Sequence, residues 1–515
     1  MLGIGKLNIE YTPNTKEQWY FRTQVKKSNN DILNDISSRI TDVQTNLLTT
    51  KMAKIYTLNQ NVEWHISKSK KHTFSLALDF TLNQNDPTMI WNTDQPLFVN
   101  RLSLVDSDNI VIEQIKETKH QKLNAIFKHY WVLNGNNHIY TTLGASSTKE
   151  MFYTSDRQLL EANKVHDFNT AGFGNDLDFH LKDLSIAVHY KFRTGIATFK
   201  QGATLRNYRW KINQGSSIEN NKSLVLPDFL ASFEFTKSKK LKINYQKKSN
   251  FSNASRLTKN YYLRSYNSIF LGNDTLENEL YHHATAYYSR FSMYRGIMFN
   301  SYLGYIKKEK GIRNAVQFDQ SDQYLQPILL VNPEERWFLN TNLRKKIKNI
   351  NYALGIDFSS ANYVQPIDND NSKNQSTSTA IELSAKTLYD SFPVIEFGVK
   401  RTVGDYASGT QSTKFTVTEP FLNIDYDFLK HYVFSFDYTN YDYENKNSGL
   451  NEQYQLANMS LFYKKEDRPW SFNIQIQNVF DMKYKKRHSF SAYIVSETSI
   501  FVLPRMFVLS ISYQL

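Results

Sequence analysis

The sequence of 515 residues contains no cysteine. Disulfide frameworks, thiolate metal sites and thiol nucleophiles are therefore excluded. Glycine and proline are scarce, at 18 and 11 residues, and they form no linker that would divide the chain into domains. No stretch approaches the roughly 18 consecutive apolar residues that a membrane-spanning helix needs, and the mean hydropathy is −0.54. We therefore expect a single domain over residues 1–515 and no transmembrane helix.

Catalytic and metal-binding motifs are missing as well. There is no nucleophile elbow, zinc-protease motif or phosphate-binding glycine loop. Asp368 and Asp370 have a spacing that suits calcium, but the loop lacks the glycine and the downstream glutamate of an EF-hand, which favours a solvated turn. His282 and His283 are adjacent in a predicted strand, so their side chains point to opposite faces. We predict no enzyme, no cofactor and no metal.

What the chain has in abundance is alternation of apolar and polar residues. Near the carboxyl end, Ile474 and Ile476 alternate with Asn473, Gln475 and Gln477. The same period of two recurs along the chain, and it predicts strands with one apolar and one polar face. Aromatic residues make up 14% of the sequence. Because only helices and closed barrels satisfy their backbone in lipid, a bilayer protein of this composition must be a β-barrel.

Turn residues divide the chain into strands joined alternately by a tight turn and a longer segment. The tight turns are rich in Gly, Asn, Pro and Lys, and they lie near residues 13–14, 68–71, 134–137, 194–195, 237–240, 294–296, 346–349, 390–393, 429–431 and 465–469. The fold class predicted is all-β: a transmembrane antiparallel β-barrel of about 21–22 strands with short periplasmic turns and long extracellular loops. A count of 21 makes the first and last strands run the same way, so one strand is expected before Leu7.

The formal net charge is +13. Much of the lysine stands in short clusters between strands, for example at 68–71 and 237–240. Solvated turns and lumen walls explain these clusters better than nucleic acid does, and an anionic partner or substrate is the alternative. No nucleic-acid partner is predicted.

Two motifs carry a family resemblance. The first is Asn478, Phe480 and Asp481 with Pro504 and Arg505 before the final amphipathic strand; the second is a segment with the residues Gly272, Asn273, Leu276 and Glu279. Together with the strand rhythm they resemble the barrel domain of TonB-dependent outer-membrane receptors, particularly those of the Bacteroidetes type. The chain starts on a strand, and neither a signal peptide nor a plug domain is recognised in it.

The resemblance implies an outer-membrane receptor of a Gram-negative bacterium that takes up a bulky nutrient such as a siderophore or an oligosaccharide. It implies the lipid bilayer, a plug domain and the TonB system as partners, and a surface lipoprotein as a further possibility. The particular substrate is left open. Two alternatives also stay open: an ungated, porin-like or truncated barrel, and a surface adhesion barrel that binds a partner without transport.

Candidate ligand contacts follow from this interpretation. Polar residues of alternating strands are predicted to line the lumen: Asn59, Asn61, Glu63, Asn244, Asn473, Gln475 and Gln477. Aromatic rings in an outer loop are predicted to stack on a solute: Tyr261, Tyr262 and Tyr266. Other aromatic residues near strand ends are predicted to form interfacial girdles: Tyr56, Trp64, Phe74, Tyr432, Tyr438 and Tyr513.

Overall fold

The structure is a computed structural model of the whole chain. It describes residues 2–40, 43–107, 109–320, 322–390, 392–409, 411–447, 449–466, 468–490 and 495–514. No helix in these ranges has the length and the apolar character needed to cross a bilayer. The helical content is three single 3₁₀ turns, at Glu161–Asn163, Asn169–Ala171 and Ala254–Arg256.

Strands account for nearly all of the remaining regular structure. The first half of the chain contains β1 (Leu2–Asn14), β2 (Glu17–Ile40), β3 (Val43–Ser67), β4 (His72–Thr93), β5 (Ile110–Asn134), β6 (Asn137–Leu159), β7 (Val165–Asp167), β8 (Asn175–Thr194), β9 (Ala197–Gln214), β10 (Ser216–Thr236), β11 (Lys239–Asn250), β12 (Tyr261–Ser265) and β13 (Ser268–Leu271). The second half contains β14 (Glu279–Ser292), β15 (Ile297–Asp319), β16 (Asp322–Ile347), β17 (Ile350–Ile367), β18 (Asp370–Thr387), β19 (Val394–Ser408), β20 (Gln411–Phe428), β21 (Tyr432–Asn445), β22 (Leu450–Lys464), β23 (Trp470–Gln477), β24 (Tyr484–Phe490), β25 (Val495–Phe501) and β26 (Met506–Tyr513).

The long strands form one antiparallel meander. Apart from the short strands β7, β12, β13, β24 and β25, twenty-one strands of the described chain follow one another in the sheet, and each is paired with the next. All ten predicted tight turns connect consecutive strands of this meander. The all-β, antiparallel fold class and the strand count are confirmed.

Several segments expected to be outer loops are instead continuations of strands. β2 and β3 stay paired up to Ile40 and Val43, and β17 and β18 up to Ile367 and Asp370. These segments are rich in polar residues, and cross-strand pairing satisfies their backbone groups. The result is a set of tall hairpins on the side opposite the tight turns.

The sheet has two edges among the described pairings. β1 pairs with β2 and β26 pairs with β23, and neither strand has a second partner. β24 and β25 form a separate hairpin between β23 and β26. Since the meander holds an odd number of strands, β1 and β26 run in the same direction, as the sequence predicts.

Candidate functional site

The sheet has two chemically different faces. On β8 and β9 the apolar side chains of Leu184, Val188 and Leu205 are 60%, 54% and 48% exposed. Asp183 and Arg206 occupy the opposite face, where Arg206 Nη1 donates to Asp183 Oδ2 at 2.6 Å. Because directly paired residues share a face, the register extends this division from strand to strand. We call the face of Arg206 the inner face and the face of Leu205 the outer face.

All seven residues predicted to line the lumen lie on the inner face by this register. They are Asn59, Asn61, Glu63, Asn244, Asn473, Gln475 and Gln477. Asn61 Nδ2 donates to Asp79 Oδ1 at 2.7 Å, and Gln477 Nε2 donates to Gln475 Oε1 at 3.4 Å. The inner face therefore offers amide groups to water or to a polar solute, and contact with a solute stays a prediction.

Two neighbouring cavities indent the inner face between β5 and β11. The larger has a volume of about 310 Å³ and is lined by Arg206, Asp228 and Lys248 among others. The smaller has a volume of about 170 Å³ and shares Thr204 and Arg206 with the first. His189 Nε2 lies 2.6 Å from Asp228 Oδ2, so this part of the wall presents charges of both signs.

A third cavity lies on the inner face of β16–β19. Its volume is about 230 Å³, and its lining includes Arg344, Asp357, Glu382, Lys386 and Lys400. The inner face is thus hydrophilic on distant parts of the sheet, as a wall in contact with water requires.

Three outer segments fold onto the inner face near the outer ends of the strands. They are residues 94–107, 160–174 and 251–278, and we call them together the cap. The wall strands from β3 to β16, which the cap contacts, form the capped arc, and the wall strands from β17 to β26 together with β1 and β2 form the open arc.

The cap and the wall share two hydrophobic clusters. The first joins cap residues to β6, β8, β9, β15 and β16 and consists of Phe152, Leu177, Phe179, Tyr208, Trp210, Ile212, Ala254, Leu257, Tyr262, Phe270, Leu276, Ile312, Val316 and Leu325. The second joins cap residues to β3, β4 and β5 and consists of Leu47, Trp91, Leu97, Phe98, Leu102, Ile110, Ile112, Phe168, Phe173, Leu263 and Ile269. Contacts with strands so far apart in the meander mean that the sheet curves around the cap.

Hydrogen bonds hold the cap segments to one another and to the wall. The Tyr261 amide donates to Gly172 O at 2.8 Å, which links two cap segments. Gln114 Nε2 of β5 donates to Leu263 O at 2.6 Å. β13 pairs in parallel with the outer end of β16, from Ser268 to Phe270. The cap is therefore a folded unit anchored at several strands.

The aromatic residues predicted to stack on a solute belong to this cap. Tyr262 is 4% exposed, and its ring centroid lies 5.2 Å from that of Phe152. The Arg101 guanidinium stands 5.6 Å from the ring centroid of Tyr261, and Tyr266 packs against the second cluster. The exposed stacking role expected from the sequence is wrong for Tyr262, because burial in the cap leaves its ring no free face.

A buried ionisable pair lies under the cap at the outer ends of β5 and β6. Asp156 is fully buried; its Oδ1 accepts from Gln114 Nε2 at 2.7 Å, and its Oδ2 has no hydrogen-bond partner. Burial raises the pKa of the Asp156 carboxyl to about 7, although the Gln114 bond and the charge of Lys116 act in the opposite direction. Lys116 Nζ lies 5.0 Å from the ring centroid of Tyr262, and burial lowers the pKa of Lys116.

A second contact ties the cap to the tip of the β15–β16 hairpin. Arg101 is placed between two tyrosine rings, with its Cζ 5.6 Å from the centroid of Tyr261 and 5.2 Å from that of Tyr324. Next to it, Asn100 Nδ2 donates to Asp319 Oδ2 at 2.6 Å. Cation–π and hydrogen-bonding contacts therefore close the cap across the arc.

The family-like segment at 272–279 is structural in this chain. A Cβ on Gly272 would lie 2.3 Å from the backbone N of Thr258, so only glycine fits there. Asn273 Nδ2 donates to Pro327 O at 3.0 Å, and Leu276 is 4% exposed. Glu279 Oε1 accepts from the Ile312 amide at 2.9 Å, beside the β-bulge of β15. The segment joins the cap to β14 and β15.

The carboxyl-terminal motif also has a structural part. Asn478 has a φ of 52°; its Nδ2 donates to Met482 O and Leu503 O at 2.8 Å each. Asp481 Oδ1 accepts from the Arg505 amide at 2.9 Å. These bonds bring the two ends of the 478–505 segment together, next to Pro504.

Phe480 of the same motif lies on the outer side of β21, where its ring makes an edge contact with Tyr438 at 6.0 Å. The carboxyl-terminal motif therefore sets the entry into β26.

The candidate metal sites resolve into ordinary contacts. His282 Nε2 lies 2.6 Å from Glu309 Oε1, whereas His283 Nδ1 lies 3.1 Å from Lys248 Nζ, on the opposite face. Asp368 has a φ of 46° in a tight turn, and its Oδ1 accepts from the Phe318 amide at 2.8 Å. Within the described ranges no three His, Asp or Glu side chains come together as a metal site.

Sequence reasoning did not predict the cap. A signal was present: Leu97, Phe98 and Leu102 crowd a segment that otherwise looks like a polar loop, and Phe168 and Phe173 do the same in the next one. Apolar residues that cluster in a loop without a period of two indicate that the loop packs its side chains into a hydrophobic core.

No protein-family model matches the sequence, and no curated protein matches it. The chain is similar to the solved structure of the unliganded ferric citrate transporter FecA, at 9% identity over 99% of this chain and 78% of that one, with a TM-score of 0.45. It is also similar to a mutant of the ferric enterobactin receptor PfeA of Pseudomonas aeruginosa with bound enterobactin. The identity is 9% over 99% of this chain and 81% of that one, with a TM-score of 0.40. A third similar structure is the copper transporter OprC, at 9% identity over 99% of this chain and 79% of that one, with a TM-score of 0.46.

Proposed function

We propose that this chain is the β-barrel wall of an outer-membrane receptor of a Gram-negative bacterium, which takes up a bulky nutrient and catalyses no reaction. The observation that carries the proposal is the division of one sheet into an apolar outer face and a polar inner face. Leu205, Leu383 and Phe397 are 48%, 52% and 59% exposed on the outer face. An apolar surface that follows the whole sheet suits lipid far better than water.

Strand length and aromatic placement support the same proposal. A tilted strand crosses a bilayer with roughly 9–11 residues, whereas β15 has 23 and β5 has 25. The excess lies on the side of the tall hairpins, which would stand above the membrane. Near the short turns, rings pair on the outer face, with centroids 5.8 Å apart for Trp19 and Trp64 and 4.8 Å apart for Trp470 and Tyr513. Such rings suit the interfacial girdle of a barrel.

The two edge strands need one further strand. Five apolar or aromatic residues of β1, from Leu2 to Tyr11, are 48–61% exposed. Since β1 and β26 run in the same direction, direct pairing between them would be parallel, and a single strand opposed to both would make the whole wall antiparallel. We propose such a strand as the closure of the barrel, because an unpaired edge in lipid costs several kcal/mol for each orphaned backbone group.

Transport itself rests on the family resemblance of the two motifs. We propose that a plug domain and the TonB system act with this wall, that a surface lipoprotein is a further partner, and that the cargo is of siderophore or oligosaccharide size. The polar cavity at Lys400 suits contact with a hydrophilic solute.

The test is to express the gene with its genomic neighbours in a Gram-negative host. We expect the chain in the outer-membrane fraction, with a mobility in detergent gels that changes on heating as a barrel unfolds. Deletion of the gene should abolish growth on one bulky nutrient source in a TonB-dependent way. Recovery of a folded chain from the soluble fraction would contradict the proposal.

One observation favours the second candidate function, an ungated, porin-like barrel. Within the described chain, no inserted segment covers the inner face of the open arc, where Asp425 and Asp437 are exposed. Uptake that continues without TonB would support this second candidate.

A further inference from the structure

The cap sits inside the wall and not on top of it. Its wall contacts alternate along each strand in step with the polar inner residues: Tyr208, Trp210 and Ile212 follow Thr204 and Arg206 on β9 at every second position. On β5, Ile110 and Ile112 stand on the face of Gln114, which reaches the cap backbone. Leu205, on the outer face of the same strand, remains exposed and belongs to neither hydrophobic cluster. The cap therefore fills the concave side of the sheet.

The packing of the cap is that of a protein core. Ile112, Ile212, Leu263, Ile269 and Phe168 are all 0% exposed. Side chains packed in this way belong to one cooperative unit, because the exposure of any one of them exposes its neighbours. The cap thus has the character of a permanently folded domain and differs from a loose outer loop.

The cap adjoins the larger cavity of the capped arc, and the lining of that cavity overlaps with the lining of the smaller one. Tyr208 lines the larger cavity and belongs to the first cap cluster. Asn250 lines the same cavity at the point where the chain leaves β11 for the cap. Arg206 lines both cavities. The inner face of β8–β11 is thereby covered on its outer side.

The open arc is built differently. Several of its outer connections are short, as between Ile367 and Asp370 and between Ser408 and Gln411. The connection from β23 to β26 is longer and carries the hairpin of β24 and β25. Its buried side chains near the outer strand ends contact neighbouring strands on the same face: Tyr406 donates to Asn374 Oδ1 at 3.1 Å across β18 and β19. No described segment enters from these hairpins onto the inner face.

We propose that the cap is an internal stopper, which closes the capped arc to solutes from the outer side and confines their passage to the inner face of the open arc. The inference uses the proposed function only in taking the inner face as the lumen. It assigns to residues 94–107, 160–174 and 251–278 an occluding function within the wall chain itself.

The absence of cysteine makes a direct test possible. Thr204→Cys and Gln477→Cys are matched positions: each is the eighth residue of its strand, β9 or β23, and each lies on the inner face. The full-length chain carrying one of these cysteines is placed in the outer membrane of intact cells, and a bulky, membrane-impermeant polyethylene-glycol maleimide is added outside. We expect Gln477→Cys to react at least about tenfold faster than Thr204→Cys, since the cap must open locally before Thr204 is reached.

A second variant tests whether the cap causes the difference. Arg101→Ala removes the contact with Tyr261 and Tyr324 at the rim of the cap and leaves the core clusters intact. Combined with Thr204→Cys, it should raise the labelling rate towards that of Gln477→Cys. Equal rates at the two single-cysteine positions, whether both fast or both slow, or no change on adding Arg101→Ala, would overturn the stopper.

Leu205→Cys separates this outcome from failure of the proposed function. Leu205 follows Thr204 on the outer face, so lipid should protect it in every cap variant. Rapid labelling of Leu205→Cys would show that the outer face meets water, which contradicts the membrane wall whatever the cap does.

Discussion

The capped arc and the open arc are made of the same kind of strand, yet among the described residues the two hydrophobic clusters lie on the inner face of the capped arc. The difference lies in the connections. In the capped arc the connections are the three cap segments, 94–107, 160–174 and 251–278. Their apolar side chains are excluded from water by folding inward onto the wall. In the open arc β17 to β20 continue into polar hairpins that close in a few residues. Stability of the two arcs should therefore depend on different residues.

The largest expected effect comes from truncating the cap core. Ile269 is 0% exposed in the second cluster, and replacing it with alanine leaves a cavity, so Ile269→Ala should destabilise the cap by about 3–4 kcal/mol. The measurement is protease protection of the 251–278 segment in detergent.

The matched control in the open arc is Leu383→Ala, which changes an outer-face residue that is 52% exposed. It should lower the free energy of unfolding by less than about 0.5 kcal/mol, because truncating an exposed side chain leaves no cavity in a packed core. Equal losses for the two variants would remove the distinction between the arcs.

A backbone test of the same distinction uses two glycines. Gly272→Ala places a Cβ 2.3 Å from Thr258 N, and since backbone atoms cannot move aside, we expect a loss of about 2–3 kcal/mol in cap stability. Gly355→Ala is the control in the open arc, where the nearest atom would lie at 3.6 Å. A denaturation series of both variants, followed by hydrogen exchange in residues 254–276, checks this; protection unchanged in Gly272→Ala would contradict the close approach.

The open arc has its own anchor in Asn478. Asn478→Ala removes the side-chain bonds to Met482 O and Leu503 O, which should cost about 2 kcal/mol. We expect faster proteolysis between residues 482 and 503 and an unchanged cap. Asn478→Asp keeps the acceptor for the Met482 amide and should be intermediate; loss of cap protection in either variant would show that the arcs are coupled.

A separate expected effect is a pH dependence that belongs to the capped arc. Burial under the cap raises the pKa of Asp156 from 3.8 to about 7, so the folded chain holds a proton that the unfolded chain releases. Stability is therefore greatest below about pH 4, falls as the pH rises to about 7, and then stays level.

Asp156→Asn removes this titration. It should flatten the profile and stabilise the cap by about 1 kcal/mol above neutral pH, because the buried charge is gone. Unfolding midpoints of the two proteins across this pH range are the measurement, and parallel profiles would show that another group titrates.

Much of the wall was predictable from sequence, because period-two alternation and turn chemistry are local signals. They located the tight turns, the odd strand count and the face of residues such as Asn244 and Gln475. The cap was not predictable in the same way. The contact of Leu263 with Gln114 joins residues 149 apart in the chain, and no local pattern encodes such a pairing. The local pattern therefore predicts an exposed loop at Tyr262, although its side chain is buried.

The most direct test of the two-faced wall is a scan of spin labels at successive positions 183–188 of β8, on the cysteine-free chain in lipid bilayers. Oxygen, which dissolves in lipid, and a water-soluble nickel chelate are compared as relaxing agents at each position. The account predicts that Leu184, Ile186 and Val188 favour oxygen while Asp183, Ser185 and Ala187 favour the chelate or are shielded from both agents. Accessibility without a period of two, or with the two sets exchanged, would contradict it.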